Sequence, residues 1–493
     1  MSASWPQRHL RRPYEGDGGG GAPRPAGMWA ELKGTRISVL FCLTALLLAD
    51  AILFGGASRQ NEPQLMMLEL LSLPVIGLAL LQLQTQRGFG RIAAPLALLL
   101  AMIAVSLAQL VPIPFDLWQA APGRGALVGG LRLTGFNKGW LPLSLTPDET
   151  RRATLALLIP LGILLGAGAC SRDQVRLLAA IVVLAAGVSL LIGALQLAGG
   201  LESPLRFYPR ANEDAAVGVF ANRSHQGALL LTALPVLATW IVQLTRENRK
   251  LGVSALIGIA AFAVVIVGVV ITHSRAALML GVIVVVASLL LLWRNSRRAR
   301  VNPAMGLAGM AALLAMGAAG VFAINPVLKR FAPIGEEQRL DFWPSVIDGA
   351  RHFSPLGSGA GSFVDAYRMF EPLELVSRAY LNHAHNEYLQ VWFEQGWPGL
   401  AVLGLFAVWV LWRAVMVWRN REGAEQSLGQ AATVIIVLLA VHSAVDYPLR
   451  TPALAAVFAL MCAILARSGP RQASARRDVA ERSVAAPRSE ASR

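Results

Sequence analysis

Apolar residues along the chain are grouped into runs of about twenty, separated by polar segments. A helix needs roughly 20 apolar residues to cross the hydrocarbon core of a bilayer. Twelve windows meet or approach this length, at 37–56, 65–83, 92–112, 153–169, 177–198, 226–244, 252–271, 276–293, 304–324, 398–418, 430–446 and 452–466. The pattern predicts an all-α, polytopic transmembrane helical bundle of about 12 helices within residues 37–466.

The basic residues between these windows predict the orientation of the bundle. If the N-terminus is cytoplasmic, the inner links carry 13 Lys or Arg in about 42 residues, against 17 in about 157 outside. Because Lys and Arg accumulate in cytoplasmic loops, this difference favours cytoplasmic N- and C-termini. The predicted location is the bacterial inner membrane.

Three predicted outer segments are long: 113–152, 199–225 and 325–397. The last lies between predicted helices 9 and 10, and long loops in compact proteins are usually functional or disordered. Its many aromatic residues favour a folded periplasmic loop. By contrast, the polar ends, 1–36 and 467–493, are predicted to be disordered cytoplasmic tails.

Composition excludes two other classes of protein. The chain is 55% hydrophobic and only 15% charged, too apolar for an ordinary soluble domain. Its net charge of +15 is spread over both termini and the short links, whereas a nucleic-acid-binding protein needs a basic face. The three cysteines have no metal-ligand spacing, and we expect no metal and no cofactor.

Ionisable residues inside the predicted spans are few. Asp50, Glu69 and Asp446 all fall toward the outer ends of their windows. Such residues mark functional sites by default, although snorkelling to the headgroup region explains each of them equally well.

The densest group of polar residues is LNHAHNEYLQVWFEQGWPGL, residues 381–400. If 386–395 is helical, His385 lies at or just before its N-terminus, where the helix dipole favours a neutral imidazole. A neutral imidazole can accept a proton as a general base. His383 and His385 could also be ordinary polar loop residues, or half of a metal site, although no third ligand stands at recognisable spacing.

Several arginines lie on the same predicted side of the membrane. Arg210 and Arg223 belong to the 199–225 segment, and Arg275 follows His273 in the short turn THSR. A guanidinium presents a fork of donors that suits phosphate oxygens. These arginines could therefore bind a lipid diphosphate, or they could anchor helix ends to headgroups.

Five segments together resemble the O-antigen ligase family, which also contains surface-polysaccharide polymerases. The HAHNEYLQ run is similar to the family's loop motif, in which nine residues separate His385–Asn386 from Gly396 and Gly399. Three of the other matching segments precede the histidine loop: GVFANRSHQGALL (218–230), THSRAAL (272–278) and DGARHFSPLGSGAGSFVDAYRMFEP (348–372). The last, HSAVDYPLRTP (442–452), follows it, and all of them occur in the order typical of the family.

The resemblance implies a metal-independent, inverting membrane glycosyltransferase. Its donor would be a glycan on undecaprenyl diphosphate, and its acceptor a hydroxyl of lipid A–core at the periplasmic face. The family's catalytic histidine corresponds to His385 and its diphosphate-binding arginine to Arg275. A second family arginine corresponds to either Arg210 or Arg223, because neither matches the usual position. Asn386 and His383 complete the candidate substrate-binding residues.

Three other activities remain open from the sequence. A polymerase of the same family extends lipid-linked repeat units of O-antigen or exopolysaccharide, and a third relative transfers glycans to protein hydroxyls. A polysaccharide-lipid transporter is less favoured, because transport sites place polar groups near the bilayer midplane. The predicted spans of this chain are apolar through their centres.

Overall fold

The computed structural model describes residues 37–58, 62–86, 88–136, 138–200, 202–208, 212, 215–247, 253–296, 338–376, 380–419 and 424–468. The predicted N-terminal tail, the predicted span at 304–324, candidate residue Arg210 and nearly all of the predicted C-terminal tail lie outside these residues.

Within these residues the fold is almost entirely helical. The helices are α1 (Val39–Phe54), α2 (Glu62–Thr85), α3 (Ala93–Leu110), α4 (Phe115–Ala120), α5 (Gly125–Leu133), α6 (Pro147–Ala156), α7 (Leu158–Ala169), α8 (Arg172–Ala198), α9 (Arg223–Glu247), α10 (Val253–Ile271), α11 (Arg275–Ser296), α12 (Gln338–Phe353), α13 (Phe363–Tyr367), α14 (Glu387–Arg419), α15 (Ala424–His442) and α16 (Pro452–Arg467). Short 3₁₀ turns occur at Phe89–Arg91, Leu373–Leu375 and Pro448–Arg450, and strands β1 (Pro112–Pro114) and β2 (Trp140–Pro142) pair antiparallel.

The apolar windows correspond to helices wherever the structure describes them. Among the residues that the structure describes, eight helices are long and apolar enough to cross a membrane: α2, α3, the α6–α7 unit, α8, α9, α10, α11 and α14. Three shorter apolar helices, α1, α15 and α16, correspond to three further windows. Many apolar side chains point outward, for example Met279, Leu411 and Leu184, as lipid-facing residues do. The protein is therefore an all-α, multi-pass membrane protein; that it crosses the membrane twelve times stays a prediction.

Helix α9 occupies the centre of the bundle. It packs against α8, α10, α11 and α15, and its apolar residues Leu229, Leu230 and Leu234 are fully buried. Helix α16 has a similar position between α1, α7 and α15. The N-terminal ends of α9 and α16 are thereby fixed in the interior of one end of the bundle.

The predicted outer loop contains a small core of its own. Phe353, Phe363 and Phe393 pack edge to face, with ring centroids 5.3–5.4 Å apart. Arg124, from the 113–152 segment, lies over the Phe353 ring and donates hydrogen bonds to the carbonyls of Pro122 and Leu143. Burial lowers the pKa of Arg124 to about 10. These contacts join two of the predicted outer segments into one layer.

Helix α14 is broken near its start. Gly396 has φ +62° and ψ −151°, and a side chain there would collide with the carbonyl oxygen of Pro355. The helix predicted over 386–395 and the span predicted over 398–418 are therefore two parts of α14, joined at this glycine. The break allows the first part to cover the end of the bundle while the second part continues along it.

Candidate active site

His385 lies in the last residues before α14, at the end of the bundle where α9 and α16 begin. Its backbone has φ +48°, a left-handed conformation that is uncommon for residues other than glycine and clusters at functional sites. The following residue, Asn386, accepts a hydrogen bond from the Leu389 amide at 3.1 Å. Asn386 is thus the N-cap of α14, as its residue type favours.

The His385 imidazole is held by a buried carboxylate. Nδ1 of His385 lies 3.2 Å from Oδ1 of Asp446, and the Asp446 side chain is only 1% exposed. The same carboxylate accepts hydrogen bonds from the Tyr447 amide at 3.0 Å and from the Asn222 side chain at 3.4 Å. Asp446 follows α15 rather than ending it, because the helix stops at His442.

This contact selects one form of the His385 ring. An ionised carboxylate can only accept hydrogen bonds, so Nδ1 carries the proton and Nε2 carries the lone pair. The tautomer is thus assigned from the hydrogen-bond partner. The side chain is 12% exposed, which leaves the imidazole partly accessible from the end of the bundle.

Two more histidines and a tyrosine surround the carboxylate. Nε2 of His225 lies 3.9 Å from Asp446 Oδ1, and Nε2 of His442 lies 4.0 Å from Oδ2. The Tyr447 ring lies 5.0 Å from the His385 ring and 4.9 Å from the His225 ring, centroid to centroid. Asp446 is therefore the common neighbour of side chains from α9, the His385 loop and α15.

The candidate arginines Arg223 and Arg275 are each the first residue of a helix, α9 and α11 respectively. The residue before each caps its helix: Asn222 accepts from the Ser224 amide at 2.8 Å, and Ser274 accepts from the Ala277 amide at 3.2 Å. The hydroxyls of Ser274 and Ser224 are 3.0 Å apart. The two helix starts, with their arginines, are thereby fixed side by side.

The electrostatics of this region favour an anion. Helices α9, α11 and α14 all begin here, and each N-terminus carries partial positive charge. Burial, and then the charge of Arg223, lower the pKa of His273 in the neighbouring turn. Arg223 therefore acts electrostatically on the THSR turn that contains Arg275. Helix N-termini with adjacent guanidinium groups are suited to phosphate oxygens.

His383 packs against the Tyr447 ring. Its ring is 4.1 Å from that ring, and it hydrogen-bonds with Ser58 at 2.9 Å and with Gln390 at 3.2 Å. Gln390 also donates to Glu394 at 2.9 Å. His383 is 4% exposed, so these contacts give it a fixed place in the wall beside the His385 loop.

The structure brings most of the predicted residues to one place. This end of the bundle contains His383, His385, Asn386, Arg223 and Arg275. The choice between Arg210 and Arg223 stays open, because Arg210 lies outside the described residues. Across the part of the chain that the structure describes, no group of His, Cys, Asp or Glu side chains is arranged to hold a metal ion. The sequence did not identify the roles of Asp446, Asn222, Tyr447, His225 and His442. The segments GVFANRSH and HSAVDYP, already noted for their resemblance, contained all five.

Comparison with known protein families supports the resemblance found in the sequence. A family model described as O-antigen ligase matches residues 260–404. The match includes the THSR turn, α11, α12 and the His385 loop, and it confirms the resemblance noted above. Asn222, Arg223 and Asp446 lie outside the matched segment. No curated protein matches the chain.

Proposed function

We propose that this chain, whose residues 260–404 match a family model described as O-antigen ligase, transfers a glycan from an undecaprenyl-diphosphate donor to an acceptor hydroxyl. The reaction takes place at the periplasmic face of the inner membrane, with lipid A–core as acceptor. His385 is the general base, and Arg275 and Arg223 bind the diphosphate. The reaction needs no metal and inverts the configuration of the anomeric carbon.

The contact between His385 and Asp446 carries this proposal. With Nδ1 donating to Asp446, Nε2 is the nitrogen that accepts the proton of the acceptor hydroxyl. The positive charge that forms on the ring is stabilised by the carboxylate beside it, as in the histidine–aspartate pairs of hydrolases. Asp446 thus keeps the ring in the proton-accepting tautomer and offsets its charge.

The transfer is a single displacement. As Nε2 removes the proton, the acceptor oxygen forms a bond to the anomeric carbon of the donor. The bond from that carbon to the diphosphate oxygen breaks, and its electron pair leaves with undecaprenyl diphosphate. One displacement inverts the anomeric centre. The negative charge that grows on the leaving group is stabilised by preorganised cations, which Arg223, Arg275 and their helix N-termini provide.

Two related activities use the same chemistry with another acceptor. A polymerase adds the glycan to a second lipid-linked repeat unit, and a protein glycosyltransferase adds it to a protein hydroxyl. A deletion strain distinguishes the ligase from the polymerase. Loss of the lipopolysaccharide ladder with accumulation of lipid-linked polymer supports a ligase, whereas accumulation of single repeat units supports a polymerase. An unchanged ladder and unchanged lipid-linked glycans would contradict the proposal.

A further inference from the structure

A large cavity, whose wall includes neither Arg223 nor Arg275, adjoins the candidate active site. Its volume is about 1360 Å³, and it lies between α2, α3, α14, α15 and α16. Along the second part of α14, after the break at Gly396, it extends from Val402 to Ala414, a distance of about 18 Å at 1.5 Å per helical residue. Most of its wall is apolar, including Leu65, Leu68, Leu98, Phe406 and Phe458.

The cavity is open sideways to the membrane region of the protein. Val437, Val441 and Leu411 line it, and each of them is also strongly exposed on the surface. An elongated, apolar and laterally open space has the shape and polarity that suit a lipid chain entering from the bilayer.

The polar end of the cavity lies beside the proposed base. His383, Glu387 and Ser443 line it, and Glu387 is the second residue after His385. The Glu387 amide donates to the Ser443 carbonyl at 2.8 Å, which ties the start of α14 to the segment that carries Asp446. A lipid in this cavity would therefore have its head group next to His385.

The charge at the polar end of the cavity differs from the charge around Arg223 and Arg275. Four carboxyl groups, Glu62, Glu149, Glu387 and Glu394, line the cavity together with two guanidinium groups. Burial raises the pKa of Glu387 to about 7, so this group is only partly ionised at neutral pH. Those guanidinium groups have carboxylate partners: Arg152 lies 3.1 Å from Glu62 and 3.3 Å from Glu149, and Arg450 lies 3.0 Å from Glu394. Surplus carboxylate disfavours a diphosphate but accepts hydrogen bonds from sugar hydroxyls.

The two sides of His385 thus differ in their chemistry. Among the described residues, those of α9, α10 and α11 contribute nothing to the cavity wall, while Arg223 and Arg275 begin α9 and α11. Building on the proposed transferase function, we propose that the cavity binds the lipid chain of the acceptor. The acceptor is then a membrane-anchored glycolipid that presents a sugar hydroxyl to His385, while the donor diphosphate binds on the arginine side.

Filling the cavity tests this assignment. Val402→Trp, in the cavity wall, is compared with Val282→Trp, a surface position on α11 that does not line the cavity. Purified protein in nanodiscs receives the undecaprenyl-diphosphate glycan and one of two acceptors: lipid A–core, or the core oligosaccharide freed of its lipid. We expect Val402→Trp to raise the KM for lipid A–core by about tenfold or more, because apolar burial of the chain is lost. The KM values for the donor and for the free oligosaccharide should not change.

Three outcomes overturn the proposal: a raised KM for the donor, equal loss with both acceptors, or no change with either acceptor. Val441→Trp, at the exposed opening, provides the same comparison should Val402→Trp fail to fold. Binding of lipid A–core, measured by native mass spectrometry, tests this proposal separately from the proposed function. If the wild type binds the lipid through the cavity but transfers no glycan to any acceptor, the transferase function fails and the lipid site remains. If it transfers glycan and the tryptophan variants bind lipid A–core normally, the cavity assignment fails alone.

Discussion

Nδ1 of His385 lies 3.2 Å from Oδ1 of Asp446, although 61 positions separate the two residues in the sequence. The contact joins the loop before α14 to the turn after α15. It also links four of the five segments that resemble the family, because Asn222 and His225 approach the same carboxylate and Ser224 contacts Ser274. The candidate site is thus organised around Asp446 as much as around His385.

The first prediction concerns Asp446→Asn. The amide is nearly isosteric but lacks the charge that stabilises the His385 imidazolium, and it can favour the other tautomer. By analogy with the aspartate of serine hydrolases, we expect kcat to fall by about 10²-fold or more. The KM for the donor should stay within about threefold. A variant that folds normally and keeps wild-type kcat would contradict the role given to Asp446.

The second prediction concerns the base itself. His385→Ala should leave expression and membrane insertion intact but reduce glycan transfer by about 10²- to 10⁴-fold, the usual contribution of a general base. His352→Ala is the matched control, because His352 is exposed in the same outer layer and contacts only Phe353 and Phe370 among the rings around it. Normal transfer by His385→Ala would remove the mechanism.

The third prediction separates charge from geometry at the diphosphate. Arg275→Lys keeps the positive charge but loses the fork of donors, so we expect donor turnover to fall by about tenfold or more. Arg223→Lys should have a similar effect if both guanidinium groups bind the same diphosphate. Arg368→Lys, exposed in the outer layer, serves as control. Donor turnover by Arg275→Lys at the wild-type rate would refute the assignment of Arg275.

Most of the helices were predictable because the length of an apolar run is a local property. The positions of α8, α10 and α16 follow directly from their windows. The same rule extended the predicted span 430–446 as far as Asp446, whereas α15 ends at His442. Hydropathy does not register that the last residues of this window form the turn that carries the carboxylate.

The site was predictable only in part. His385 and Arg275 became candidates because their residue types and spacing belong to motifs. Asp446 was open to two interpretations, since its neighbours come from distant segments and its burial depends on tertiary packing. The kink in α14 was likewise hidden, because Gly396 needs its positive φ only where the chain passes close to the Pro355 carbonyl.

The fourth prediction tests that glycine. Gly396→Ala forces a side chain into a positive-φ conformation that is essentially restricted to glycine, at a cost of about 1–3 kcal/mol, and against the Pro355 carbonyl as well. We expect a lower Tm in detergent and a loss of transfer, because the His385 loop is attached to this part of α14. Gly404→Ala is the control in the same helix: nothing lies within 4 Å of its added methyl group. It should be neutral or stabilise the helix by about 0.5–1 kcal/mol. Equal Tm values for the two variants would contradict the structural role of the kink.

The fifth prediction concerns orientation, on which access to a periplasmic donor depends. Leu373 is 86% exposed in the outer layer, and Thr85 is exposed at the far end of α2. Single-cysteine variants Leu373→Cys and Thr85→Cys, in a chain whose Cys42, Cys170 and Cys462 are replaced by alanine, report the two sides. A membrane-impermeant maleimide should label position 373 in intact spheroplasts and position 85 only after permeabilisation, because basic links predict a cytoplasmic location for the α2–α3 connection. The reverse pattern would place His385 in the cytoplasm, where a donor already flipped to the periplasmic leaflet could not reach it.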